Sequence, residues 1–241
     1  MRIIALIPAR LGSTRLAQKL LIDLEGKTVI QRTYEATVDT GLFDKVIVVT
    51  DSEAIANIVR DCGGEIIISE GEYESGTDRI AAIASSLDAD VFVNVQGDEP
   101  FVKKSALEKL IQLFEDESVR IGSLKKPLFE KILIDSPNTV KVVCDKNENA
   151  LLFSRSVIPY TRDTDINFTH FQHIGIYAFR KDILLLFPTL PKSLLEQIEK
   201  LEQLRFLENG IRIKMGIIEE MGIGIDVEED VERARAFLRS N

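Results

Sequence analysis

Cysteine is nearly absent from this chain: Cys62 and Cys144, far apart, are the only two in 241 residues. Two thiols so separated build neither a disulfide framework nor a cysteine metal site. No linker rich in Pro, Gly or Ser, no internal repeat and no low-complexity tract interrupts the sequence. One domain over 1–241 with an elaborated second half is the simplest expectation. No apolar run approaches membrane-spanning length, and the N-terminus enters a strand directly, without a charged segment and apolar core. We therefore expect a cytoplasmic protein without a membrane partner. Positive charge is in deficit, 30 Lys and Arg against 39 Asp and Glu, for a net charge of -9. That balance argues against nonspecific nucleic-acid binding. Neither G-x-x-x-x-G-K-[ST] nor G-x-G-x-x-G occurs, which removes support for a P-loop NTPase and for a dinucleotide fold.

What is present is ordinary in bulk: 45% apolar and 29% charged residues, the make-up of a soluble globule with a substantial core. The opening stretch is less ordinary. Ile3 to Ile7 is a short apolar run rich in β-branched residues and reads as a buried strand. Pro8 and Ala9 end it, and a loop of small residues follows with Arg10, Arg15 and Lys19. No acid precedes Asp23, so the corner is locally positive. Gly12 permits close backbone approach, and the Ser13 and Thr14 hydroxyls can donate to phosphate oxygens. The loop reads as a polyphosphate cradle; a surface loop that happens to be basic is the alternative.

Elements then alternate. Thr28 and Gln31 form a capping-box pattern for a helix ending at Gly41. Val46–Thr50 reads as a strand, Ser52–Cys62 as a helix, Glu65–Ser69 as a strand, Thr77–Leu87 as a helix and Val91–Val95 as a strand. Repeated βα units with continuous apolar strands predict an α/β fold, a mostly parallel sheet covered on both faces. Ligands in such sheets sit at the carboxyl ends of the strands. In the second half, strands are expected over Asn138–Val143, Leu151–Arg155, Gln172–Phe179 and Ile211–Ile218. A long helix over Ser193–Leu207 carries a Ser193/Glu196 capping box, and a last helix spans Val227–Leu238.

Several constellations could carry chemistry. In Asn94–Pro100, Gln96 and Asp98 follow a buried strand, where a carboxylate can hold Mg²⁺ or simply form a turn. Gly222–Asp226 repeats the pattern, and Asp226 is also well placed as a helix N-cap. Glu74–Arg79, with Ser75 and Arg79, suits hydrogen bonding to a base or to hydroxyls, or a plain capping turn. Arg155 ends a strand and could fork onto a carboxylate, of a ligand or of the protein itself. His170 and His173 lack the neighbours a zinc site needs. On local pattern, Glu202 and Gln203 are solvated helix-face residues.

Taken together, IPARLGSTRL with Lys19, TD, ESGTDR, VNVQGDEP, SPNTVKVV, LLFSRSVIPY, HIGIYAFR, LEQIEKLEQLR and GIGIDVEEDVERAR run from Ile7 almost to the C-terminus. In content and order they resemble the 3-deoxy-manno-octulosonate cytidylyltransferases, or CMP-KDO synthetases. The resemblance implies a nucleotidyltransferase-like, Rossmann-like fold, a homodimer, Mg²⁺, CTP and KDO as substrates, and activated KDO for lipopolysaccharide. It implies a nucleotide part over about 1–120 and a sugar-binding and dimerisation part over about 121–215. It places CTP on Pro8, Ala9, Arg10, Ser13, Arg15, Lys19, Ser75, Arg79, Gln96 and Asp98. Mg²⁺ falls to Asp98 and Asp226, and the sugar to Gln96, Arg155, His173, Tyr177, Glu202 and Gln203. Arg10, Lys19, Asp98 and Asp226 are the catalytic set. One departure stands out: the loop commonly reads RLPGKPL, and here Ala17-Gln18 replace Pro-Gly and Leu20 replaces the second proline. An 8-amino KDO analogue or sialic acid as acceptor, and a non-catalytic nucleotide-binding protein, are the competing expectations.

Overall fold

The computed structural model describes residues 1–12, 16–163, 165–166 and 168–240. β1 (Ile3–Ala9) is buried along its whole length, with alternate side chains entering different layers. Ile3 and Ile7 join one apolar cluster; Ile4 and Leu6 join the other. A strand covered on both faces needs no polar alternation, which is why its sequence is continuously apolar. Beyond a small hairpin of β2 (Asp23–Leu24) and β3 (Lys27–Thr28) come α1 (Val29–Asp39), β4 (Lys45–Thr50), α2 (Glu53–Asp61), β5 (Glu65–Ile68), α3 (Gly76–Ala84), β6 (Val91–Asn94) and α4 (Lys104–Gln112). β5, β4, β1 and β6 are neighbours in that order and parallel. These units lie where the sequence places them, within a few residues at each end. At α1 only half of the expected box forms. Thr28 accepts from Gln31 N at 3.3 Å, but the Gln31 side chain donates to Glu35 at 2.9 Å instead of reaching back.

The second half contributes β7 (Ile121–Leu128), α5 (Lys131–Asp135), β8 (Lys141–Cys144), β9 (Ala150–Ser154), β10 (His170–Arg180), α6 (Lys181–Leu186), α7 (Leu194–Glu199), α8 (Leu204–Glu208), β11 (Lys214–Ile217) and α9 (Glu228–Ser240). β10 inserts antiparallel between β6 and β7, and β11 runs parallel to β7 at the edge. The sheet is therefore continuous through both halves of the chain and mostly parallel near the N-terminal loops. β8 and β9 pair with each other and hang from β10.

β7 is a strand that the apolar pattern does not predict. Its sequence, Ile-Gly-Ser-Leu-Lys-Lys-Pro-Leu, contains Gly, two Lys and Pro. Lys125 is buried there, with its ammonium 4.3 Å from the centre of the Phe171 ring and 2.5 Å from Glu148. The long helix expected over Ser193–Leu207 is two short ones. Lys200 adopts φ +54°, in the left-handed region, and ends α7. Arg205 on α8 folds back onto Glu196 of α7, with Nε 2.8 Å from Oε2, so a buried ion pair favours the break over continued helix. The strand expected over Asn138–Val143 begins only at Lys141, because Ser136 and Thr139 turn their carbonyls toward its buried ammonium.

Candidate active site

At the carboxyl ends of β1 and β6 a cleft of about 230 Å³ opens, lined by Pro8, Ala9, Arg10, Lys19, Ser75, Arg79, Gln96 and Asp98, together with Gly12, Tyr73, Gly76 and Gly97. The N-terminal loop, the turn before α3 and the loop after β6 meet there because parallel βα units bring every such loop to one sheet edge. Gly97 is required by packing: a Cβ at that position would lie 3.1 Å from Pro8 O and 3.3 Å from Leu20. Gly12 faces open space, so among the described residues nothing in the protein demands its missing side chain. Ser13 and Arg15 lie outside the described residues.

Lys19 links the loop to the two acids. Its ammonium donates to Asp98 and, at 3.1 Å, to Asp226. Burial alone would push the ammonium pKa down, but the Asp98 and Asp226 carboxylates outweigh it and hold the pKa above its ordinary value. Asp226 thus joins Asp98 across 207 residues of chain from Lys19, and Ile225 N donates to Asp98 O at 2.9 Å to fix the approach. The first turn of α9 draws on another acid: Asp230 Oδ2 accepts from Asp226 N at 2.8 Å and Val227 N at 3.0 Å. Gly222 permits this loop to pass, since a Cβ there would fall 1.9 Å from Phe101 O. Because the two carboxylates converge on one cation, they can share another. No group of three or more His, Cys, Asp or Glu that could hold a metal ion is found among the described residues. Two converging carboxylates are what Mg²⁺ uses where it takes one or two protein carboxylates and completes its shell with phosphate oxygens and water.

Glu99, next to Asp98, escaped the sequence reading. Its Oε2 is buried without a hydrogen-bond partner among the described residues. Burial first, then the Asp98 and Asp226 carboxylates, raises its pKa to about 8.

The Ser75 hydroxyl accepts from Asp78 N at 3.1 Å and donates to Asp78 Oδ2 at 2.8 Å, a capping turn that also lines the cleft. Arg79 is buried and pairs with Asp51 at 2.6 Å; its guanidinium lies 5.1 Å from the centre of the Tyr73 ring. A buried polar cluster is built around Thr77, in the opening turn of α3. The Thr77 hydroxyl donates to Glu202 Oε1 at 2.6 Å and accepts from Asn94 Nδ2 at 3.4 Å. Tyr177 lies opposite Asn94 in the β10–β6 ladder, and the His173 ring lies 5.4 Å from that of Tyr177. Glu202 and Gln203, expected on a solvated face, are instead partly and fully buried, a consequence of the helix break at Lys200. Thr77 and Asn94 were also missed. The one polar residue in Val-Phe-Val-Asn was the available signal.

Within this cluster Asn94 Oδ1 is buried without a hydrogen-bond partner among the described residues. Burial raises the pKa values of Tyr177 and Glu202 and lowers that of His173 to about 3. The His173 ring also faces Ser123 Oγ at 3.1 Å, and the His170 ring faces Ile158 O at 3.1 Å. Arg155 stands at the end of β9, outside the lining of the cleft at the carboxyl ends of β1 and β6. Its guanidinium donates to Glu199 O at 2.8 Å and Pro137 O at 2.9 Å. These are backbone partners and not the structural ion pair that local reasoning allowed.

A mostly parallel α/β sheet with a basic glycine-containing loop and two converging acids at its carboxyl edge defines the nucleotidyltransferase class. The cytidylyltransferase family model matches residues 4–213. A 3-deoxy-manno-octulosonate cytidylyltransferase of Flavobacterium johnsoniae is 55% identical, with 99% of each chain covered. One of Christiangramia forsetii is 51% identical over 98% of this chain and 97% of its own. The solved structure of a CMP:2-keto-3-deoxy-manno-octonic acid synthetase complexed with CTP superposes with a TM-score of 0.94 at 36% identity, covering 100% of this chain and 99% of that one. The chain belongs to the 3-deoxy-manno-octulosonate cytidylyltransferase family.

Proposed function

We propose that this protein transfers CMP from CTP to the anomeric hydroxyl of KDO, releasing pyrophosphate and supplying activated KDO for lipopolysaccharide. The observation that carries the reading is the cleft at the carboxyl edge of the sheet, where Arg10 and Lys19 meet Asp98 and, through the Lys19 ammonium, Asp226. The anomeric oxygen attacks the α-phosphorus of CTP as the bond to the bridging oxygen of pyrophosphate breaks, and the hydroxyl proton is lost. Arg10 and Lys19 hold the triphosphate, with Ser13 and Arg15 of the same loop assisting. Ser75, Arg79 and Gln96 orient the nucleotide. Asp98 and Asp226 would hold Mg²⁺, which supplies charge neutralisation on the phosphates and acidifies the attacking hydroxyl. Arg155 takes the sugar carboxylate, and Gln96, His173, Tyr177, Glu202 and Gln203 its hydroxyls. Little covalent chemistry falls to the protein; positioning and charge stabilisation do most of it.

Pyrophosphate release measured from CTP or UTP, with KDO, its 8-amino analogue and sialic acid in parallel, tests this. Turnover with CTP and KDO is expected, with UTP strongly disfavoured, because a site built on hydrogen bonds rejects a base that leaves them unpaired. Equal turnover with UTP overturns the nucleotide reading, and a preference for sialic acid overturns the acceptor reading. A homodimer is part of the proposal. Exposed Ile132, Leu151, Tyr160, Leu194 and Ile198 all lie in the second half, and sedimentation giving the mass of one chain would exclude it.

A further inference from the structure

The stretch Ser136–Val143 has so far received no task, yet it contains the most unusual cation of the fold. Lys141 is 0% exposed and forms no ion pair among the described residues. Its ammonium instead donates to three backbone carbonyls: Ser136 O at 2.9 Å, Thr139 O at 2.6 Å and Arg155 O at 2.6 Å. A charge taken out of water is costly unless fully hydrogen-bonded, and three acceptors match the three donors of an ammonium. Burial also lowers its pKa, so the site discourages the very charge it holds. A neutral apolar residue would fill a core position without that cost.

The three carbonyls show what the ammonium organises. Two belong to the loop that contains Pro137, whose carbonyl accepts from Arg155 Nη1. The third is the carbonyl of Arg155 itself. Glu199 completes the frame: its carboxylate accepts from Ser154 Oγ at 2.6 Å and Arg155 N at 2.9 Å, and its carbonyl accepts from Arg155 Nε. Backbone and side chain of Arg155 are thus both clamped, with the Nε edge and one Nη1 bond engaged. Its Nη2 group donates to no described residue. We propose that Lys141 is a positioning residue that joins the Ser136–Thr139 loop to the end of β9, so that Arg155 presents a fixed guanidinium edge to a ligand carboxylate. This rests on the reading of Arg155 as the acceptor-carboxylate ligand.

Four full-length proteins decide it: wild type, Arg155→Ala, Lys141→Met and the double variant, each assayed for KM of KDO, KM of CTP and kcat. Arg155→Ala alone tests the underlying reading; an unchanged KDO KM there removes Arg155 from the acceptor site. Given a raised KDO KM in Arg155→Ala, Lys141→Met is expected to raise the same KM about tenfold, with CTP KM within about twofold. The double variant should match Arg155→Ala within about twofold, because two residues acting as one unit are not additive. A KDO KM unchanged in Lys141→Met, a parallel loss of CTP affinity, or full additivity in the double variant overturns the proposal. Should Lys141→Met not fold, Lys141→Gln retains two N–H donors and is expected to show a smaller rise in KDO KM. Failure of both to fold would assign Lys141 to the fold alone and overturn its positioning role.

Discussion

The cleft at the sheet edge and the polar cluster around Thr77 solve opposite problems. In the nucleotide cleft, charges are present and already matched: Lys19 between Asp98 and Asp226, and Arg79 on Asp51. Around Thr77, polar groups are buried with few partners, and Asn94 Oδ1 has none among the described residues. A polyanion entering the first must compete with pairs already made. In the second, a buried polar atom without a partner costs about 1–3 kcal/mol. A polyhydroxylated ligand would recover that cost. Charge governs the one side and hydrogen bonding the other, so the two should fail differently when altered.

The largest effect should come from the acids. Asp98→Asn and Asp226→Asn keep shape but remove the charge that a hard cation prefers. Each is expected to lower kcat by about a hundredfold or more with the fold intact, on the scale of several kcal/mol of charge stabilisation. Titrating Mg²⁺ against rate would check this; a fully active, Mg²⁺-saturable Asp226→Asn enzyme would return Asp226 to a structural role. Lys19→Met comes next. It removes charge shared by ground and transition states, so CTP affinity and rate should both drop, together about ten- to a hundredfold. Unchanged CTP affinity would place the Lys19 charge away from the triphosphate.

On the acceptor side the handle is pH. Burial lowers the His173 pKa from 6.5 to about 3. The unfolded chain therefore takes up a proton near pH 6.5 that the folded chain declines until near pH 3. This contribution to stability is complete above pH 6.5 and is lost progressively as pH falls toward 3. His173→Phe should flatten that decline by roughly 1–2 kcal/mol, discounted because the residue as a whole is only half-buried. Denaturant unfolding of both proteins at pH 7 and pH 4.5 is the measurement, and parallel profiles would dismiss the effect.

The smallest effect lies in the unusual loop. Gln18 adopts φ +48° and ψ +33°, in the left-handed region that favours glycine. A left-handed conformation costs a residue with a Cβ about 1–2 kcal/mol, partly offset because glycine gains about 0.5–1 kcal/mol of unfolded-state entropy. Gln18→Gly should therefore stabilise by about 0.5 kcal/mol, a rise in Tm of roughly 1–2 °C. A fall in Tm would mean that the Gln18 side chain makes contacts that outweigh its backbone.

Legibility in the sequence followed the same divide. The parallel half was readable because β1, β4 and β6 are buried on both faces and therefore continuously apolar, and because Ser52 and Ser75 cap the helices that follow. The loops it positions, at Arg10, Gln96 and Asp98, were readable with it. The second half hid its elements behind compensated polar residues. β7 carries Lys125 and Pro127, whose acceptability depends on Glu148 and Phe171 from distant strands. The break at Lys200 depends on Arg205 meeting Glu196, and the burial of Glu202 follows from it. Local pattern carries no trace of a partner supplied by another part of the chain. Motif resemblance named His173, Tyr177 and Glu202, while Thr77, Asn94 and Glu99 needed the fold.

The Lys19 ammonium acts as a counter-ion covalently tethered to its own site. Two carboxylates side by side at the mouth of a molecule of net charge -9 would otherwise repel an approaching polyanion across the screening distance of about 8–10 Å at ordinary salt. With the ammonium lodged between them, much of that local field is cancelled before any ligand arrives. Entry of the triphosphate is then an ion exchange: phosphate oxygens compete with Asp98 and Asp226 for a cation already in place. Association should accordingly depend less steeply on ionic strength than the overall charge of the chain suggests. Lys19→Met should steepen that dependence, because it exposes the bare acids to the incoming anion.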